Sequence, residues 1–201
     1  LKPINLNRNK TILNIPSRKT CFQLMHQTGM LPHIGNHSRL VCRVAHCLAK
    51  LLIDDQVLLN LELVQAGALL HDITKTRSLL TGESHPHSGC DLLAALGYPE
   101  VGRVVAQHVK LRFYFENDHP DEAEIVNYAD KRVINDRIVS LDKRMQYILE
   151  RYGKTAQDAI RVKALCQLTQ KVEERIFAHL DFAPQDLEYR LNQHTSWADD
   201  C

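Results

Sequence analysis

Apolar residues recur at intervals of three and four along most of this chain, and almost nowhere do they alternate with polar ones. From about Asn36 to Leu52, the residues Leu40, Val41, Val44, Cys47, Leu48 and Leu51 mark one face of a helix. A second helix, opened by Asn60, ends at the pair His71-Asp72 after a nearly continuous apolar run. Val101, Val104, Val105 and His108 share a face over about 100–111. Ser17 is suited to cap a helix through about Thr28, and Pro86 to open one that Gly97 and Pro99 stop. Ala123 to about Arg151 reads as helical with an interruption. Ile160, Leu165, Leu168, Val172, Ile176 and Phe177 predict a long helix from about Thr155 to His179, followed by a short one around 185–192. Gly29, Pro32 and Gly35 punctuate a loop, and residues 73–84 and 112–121 read as loops as well.

These elements predict an all-α fold. The expected organisation is an N-terminal arm over 1–16, a helical domain over 17–151, and a C-terminal helical extension over 152–201 packed on the same domain. A length of 201 residues and 44% hydrophobic content suffice for a sizeable core. Surplus apolar positions on the long helix also suggest a homodimer surface.

Charge changes the picture little. The chain carries 25 basic and 24 acidic residues, so no global field argues for nucleic acid or an anionic membrane. No apolar stretch reaches the roughly 20 residues needed to cross a bilayer. The six scattered cysteines form no CxxC and fit reduced thiols in a cytoplasmic protein.

The chemistry concentrates at His71-Asp72. Two adjacent metal-binding side chains at the end of a buried helix are costly without a partner, and a divalent cation is an obvious one. Further candidate ligands are His37 upstream and His85, His87, His108 and Asp130 downstream. Imidazoles mixed with carboxylates suit Mn, Fe, Co, Ni or Zn. Single ligands on separate helices can converge when the helices pack.

Several segments carry a resemblance. Gly67-Ala68-Leu69-Leu70-His71-Asp72-Ile73-Thr74-Lys75 is similar to an apolar helix followed by His-Asp-Ile-Gly-Lys, with Thr74 in place of the glycine. His37-Ser38-Arg39-Leu40-Val41, His85-Pro86-His87-Ser88-Gly89 and Tyr128-Ala129-Asp130-Lys131 resemble three further segments in the right order. Together they resemble the HD-domain (HDIG-type) superfamily of metal-dependent phosphohydrolases over roughly residues 20–140.

The resemblance implies an HD-domain helical bundle with additional C-terminal helices. It implies a metal held by His37, His71, Asp72 and Asp130. In a dinuclear arrangement His85 and His108 would hold a second ion, with His87 as the alternative to His85 and Asp72 bridging. Mg joins the candidate metals on the same basis. Asp72 and Lys75 are the expected catalytic residues, and Lys75, Lys110 and Arg132 the expected substrate contacts. The implied function is hydrolysis of a phosphate ester or anhydride of a small metabolite, nucleotides foremost, by metal-activated water. Di-iron oxygenase chemistry on the same fold and non-catalytic nucleotide sensing are the alternatives. The expected partner is a small phosphorylated substrate, with no nucleic acid and no membrane.

Overall fold

Helix α2 (Pro32–Asp54) runs through the middle of the protein and sets the frame for everything else. In this computed structural model, which describes residues 13–193 apart from 113 and 116, Val41, Val44, Ala45, Leu48, Ala49 and Leu52 of α2 are fully enclosed. The helix starts four residues before the expected Asn36. Pro32 occupies its first turn, where a missing N–H costs nothing, and Gly35 lies within the helix against Met25 and Met30.

Helix α1 (Arg18–Gln27) is capped by Ser17, whose hydroxyl accepts from the Thr20 amide. Helix α3 (Leu61–Leu70) is capped by Asn60, which accepts from the Leu63 amide. Both caps agree with the sequence. The stretch 73–84, expected as a loop, contains helix α4 (Lys75–Thr81). No residue of α4 is buried, so it lacks the apolar period by which a helix is recognised.

Helices α5 (His85–Ala95) and α6 (Pro99–Val105) form a hairpin turned by Gly97, which adopts a left-handed φ of 86°. They pack so closely that a Cβ on Gly102 would lie 2.9 Å from the Cys90 carbonyl oxygen. Helix α6 ends at Val105, so His108 falls beyond it in a buried turn, not on its face as expected.

Helix α7 (Glu122–Lys131) opens with a capping box of Asp121 and Glu124. The expected helix over 123–151 is broken by a small antiparallel pair, β1 (Val133–Ile134) and β2 (Arg137–Ile138), with Val133 opposite Ile138. Asn135 supplies the positive φ of 54° that the turn between them requires. Helix α8 (Leu141–Tyr152) follows.

Helix α9 (Ala156–Phe177), a short 3-10 turn at Pro184–Asp186 and helix α10 (Leu187–Gln193) complete the described chain. Val172, Ile176, Leu187 and Leu191 join the same core as α2 and α3, so the C-terminal helices are packed onto the rest. The first half of α9 instead gathers with α8 in a smaller cluster of Leu141, Met145, Ile148 and Val162.

Among the described residues, no helix is long and apolar enough to cross a membrane. The described cysteines, Cys21, Cys42, Cys47, Cys90 and Cys166, are free thiols. Residues 1–12 of the expected arm and 194–201 of the expected extension lie outside the described residues.

Candidate metal centre

Five elements deliver the cluster. His37 sits on α2, His71 and Asp72 follow the end of α3, His85 opens α5, and Asp130 lies near the end of α7. His108 follows α6. His71, Asp72, His108 and Asp130 are buried, while His37 and His85 are partly open.

The imidazoles are oriented by the backbone. His71 Nδ1 lies 2.7 Å from the Ala68 carbonyl and His108 Nδ1 2.7 Å from the Val105 carbonyl. His37 Nδ1 lies 3.2 Å from the Asn135 carbonyl. A carbonyl can only accept, so each Nδ1 must donate its proton. In the neutral ring each Nε2 is then an unprotonated lone pair, the form that binds a metal. The turn at Asn135, which breaks the expected long helix, thereby sets the tautomer of His37.

Those lone pairs face negative charge and one another. His37 Nε2 lies 3.1 Å and His71 Nε2 3.9 Å from Asp130 Oδ1. Asp72 turns one oxygen to each side. Its Oδ2 lies 3.6 Å from His71 Nε2, and its Oδ1 lies 3.2 Å from His85 Nε2 and 3.5 Å from His108 Nε2. The Nε2 atoms of His85 and His108 are 3.1 Å apart. His71 Nε2 and Asp72 Oδ1 are buried and make no hydrogen bond. Converging, unsatisfied acceptors of this kind fit a divalent cation.

Two ligand sets emerge, His37-His71-Asp72 and Asp72-His85-His108, and they share Asp72. Asp130 lies against the first set. Asp72 is therefore placed where one carboxylate could serve two ions.

Protonation follows the same logic. Burial pushes the His71 imidazole down to about 3 and lowers His85 as well. Burial opposes ionisation of Asp72, yet the surrounding imidazoles outweigh it and hold the carboxyl well below the usual range. Burial also opposes ionisation of Asp130, and the Lys131 ammonium, with smaller help from His37 and Arg144, reverses that. The neutral imidazoles and ionised carboxylates are the states a cation needs.

A cleft of about 200 Å³ opens onto His37 and Asp72. Lys75 stands at its mouth, with its Nζ 3.6 Å from Asp72 Oδ1 and 3.3 Å from His85 Nε2. Helix α8 supplies the opposite wall, with Arg144, Tyr147, Arg151 and Tyr152. His33, one turn before His37, also lines it.

Three expected residues are placed elsewhere. His87 points from α5 to the Arg112 guanidinium and does not join the cluster, whereas His85 does. Lys110 lines a separate groove with Leu111, Tyr114 and Leu165. Arg132 is buried and structural: it donates to the Val139 carbonyl at 2.7 Å, the Pro184 carbonyl at 2.8 Å and the Tyr128 hydroxyl. Arg132 ties α7 to the C-terminal helices, which removes it from the substrate contacts.

Several residues at the site escaped the sequence reading. Lys131, which follows Asp130 in the sequence, is buried beside it. Arg144 reaches Asp130 Oδ1 at 3.5 Å from a helix beyond the resemblance. Thr74, in place of the expected glycine, has an ordinary φ of −102°. Its hydroxyl donates to the His85 carbonyl at 2.9 Å and accepts from Ser88, tying the His-Asp turn to α5.

The sequence pattern of the HD domain matches residues 34–133, the stretch that carries all of these ligands. The chain belongs to the HD-domain superfamily. This HD-domain chain is also similar to two curated proteins named tRNA (cytidine(56)-2'-O)-methyltransferase. The one from Thermoplasma volcanium is 31% identical over 160 residues, covering 73% of this chain and 44% of that protein. The one from Picrophilus torridus is 28% identical over 177 residues, covering 81% and 49%. The chain thus spans about half the length of these relatives. No solved structure matches it significantly.

These relatives overturn two expectations. Both are named for methyl transfer to a tRNA ribose, not for cleavage of a phosphate ester or anhydride, so the phosphohydrolase reading is corrected. The expectation that nucleic acid plays no part is corrected with it, because both names specify tRNA.

Proposed function

We propose that this chain is a metal-binding HD module that acts with tRNA in 2'-O-methylation of a cytidine ribose. The observation that carries the reading is its similarity, across most of its length, to two proteins named for that reaction. The site's own chemistry supports it. His37, His71, Asp72 and Asp130 would hold one divalent cation, and His85 and His108 a second, with Asp72 shared. A cation bound there supplies Lewis acidity toward a phosphate or ribose oxygen.

The surrounding residues suit RNA. Lys75 at the mouth neutralises a phosphate, and Arg144 and Arg151 extend positive charge along the α8 wall. Tyr147 and Tyr152 offer ring faces on which an unpaired base can stack. Asp72 would hold the cations, and Lys75 would contact the RNA at the mouth of the cleft.

The test is the modified nucleotide. Asp72→Asn, introduced in the cell that makes the protein, should strip metal from the purified protein and lower 2'-O-methylcytidine in digested tRNA, read by mass spectrometry. Full modification by a variant shown to lack metal would sink the reading.

A further inference from the structure

The charge of this chain is balanced overall but not along its length. The first 53 residues contain no aspartate or glutamate, while they carry eight lysines and arginines. An even spread of the 24 acidic residues would put roughly six of them there.

The described part of this stretch folds into α1 and α2. Among the described residues, Lys19, Arg39, Arg43 and Lys50 form no ion pair with a carboxylate. Four arginines elsewhere do: Arg77 pairs with Glu83, Arg103 with Glu100, Arg161 with Asp158 and Arg190 with Asp181. Arg39, Arg43 and Lys50 recur at four and seven residues, so they line one side of α2.

One ring meets cations of both helices: the Arg18 guanidinium of α1 lies 5.3 Å and the Arg39 guanidinium of α2 5.4 Å from the centre of the Phe22 ring. Arg39 is held in place by the Asn36 side-chain oxygen at 3.1 Å. Arg43 follows one turn later, with a buried Nε that has no hydrogen-bond acceptor. On α1, Arg18, Lys19, Phe22 and His26 line a shallow concavity.

We propose that this acid-free face of α1 and α2 docks the sugar-phosphate backbone of tRNA. Arg18, Lys19, Arg39 and Arg43 contact successive phosphates, and the Phe22 ring keeps the two guanidiniums in register. The inference rests on the reading that tRNA is the partner, and it assigns where on the protein the bulk of that RNA lies.

The experiment measures binding of a tRNA transcript to the full chain by fluorescence anisotropy across a salt series. A Lys19→Glu/Arg39→Glu double variant should bind at least about ten-fold more weakly, with a shallower dependence on salt. Its metal content and melting temperature should match wild type. The conservative Lys19→Arg/Arg39→Lys variant should restore binding. Wild type that binds tRNA, with a double variant that binds equally well, overturns the docking face and leaves the functional reading intact. Wild type that fails to bind tRNA overturns both. Equal loss of polyglutamate binding at equal wild-type affinity would mark the face as a site for acidic protein and overturn the assignment to RNA.

Discussion

Lys131 donates a hydrogen bond to the backbone carbonyl of His108 at 2.7 Å, across the middle of the ligand cluster. The same ammonium donates to Asp130 Oδ2 at 2.8 Å. It therefore joins a ligand of the first set to the turn that carries a ligand of the second. Burial lowers the Lys131 pKa, and the Asp130 carboxylate opposes that shift.

Lys131→Met should expose the value of this link. It keeps the stem's volume and removes the charge, leaving Asp130 without its nearest cation. Breaking one side of a buried pair costs about 3–5 kcal/mol. Urea unfolding of metal-free protein should show a loss of that order. Titration with Mn should show weaker binding as well, since Asp130 and the His108 turn would no longer be held together. Unfolding midpoints that coincide would mean the link is incidental.

Removing metal should destabilise the protein. A cation that binds only the folded state raises stability by RT ln(1 + [L]/Kd). At one hundred times its dissociation constant that is about 2.7 kcal/mol. Chelation should accordingly lower the melting temperature of wild type and leave Asp72→Asn nearly unmoved, because that variant would already have lost the shared ligand. A melting temperature unaffected by verified removal of metal would argue against this cluster as the binding site.

The parts of the site that were legible in sequence are those fixed by local rules. His71-Asp72 stands out because polar residues close an apolar helix, and Ser17 and Asn60 announce their helices by cap chemistry alone. What was hidden depends on distant packing. Lys131 looks like a surface charge until α7 folds beneath the His108 turn. Arg132 looks like a substrate contact until Val139 and Pro184 turn their carbonyls toward it. Helix α4 lies on the surface and has no buried face to reveal it. The basic face of α1 and α2 was visible in principle, since an acid-free run needs no structure. The net charge of the whole chain masks it, because later carboxylates cancel it.

His85 and His87 are distinguished by direction. Both lie in the first turn of α5, but His85 faces Asp72 and His108 while His87 faces Arg112. If Asp72-His85-His108 holds an ion, His85→Ala should remove about one equivalent of bound metal at saturating Mn or Fe, and His87→Ala should remove none. His108→Ala should behave like His85→Ala. Isothermal titration of the three variants reads this directly. Loss of metal from His87→Ala, or none from His85→Ala, would reverse the assignment.

Acid should weaken the metal-free fold before the carboxylates titrate. Burial lowers the His71 pKa from 6.5 to about 3, and His85 moves in the same direction. In the unfolded chain both imidazoles take up protons near 6.5. Below that pH the unfolded state binds more protons than the folded one, so stability falls as pH falls. Above it both states hold neutral rings, and these histidines contribute no pH dependence. Asp72 and Asp130 are held well below the ordinary value of 3.8, so their contribution is lost only at lower pH still. The window from about 6.5 to 4 therefore belongs to the histidines, with a slope approaching 1.4 kcal/mol per pH unit for each one fully suppressed (about the energy of one pKa unit). Urea midpoints of chelated protein at pH 7.5, 6.0, 5.0 and 4.5 should decline across this range, and His71→Asn should flatten the decline. Metal should protect less at the acidic end, because protons compete for the same Nε2 lone pairs. A flat profile between pH 7 and 5 would mean that the His71 ring titrates alike in both states and is not held neutral by the fold.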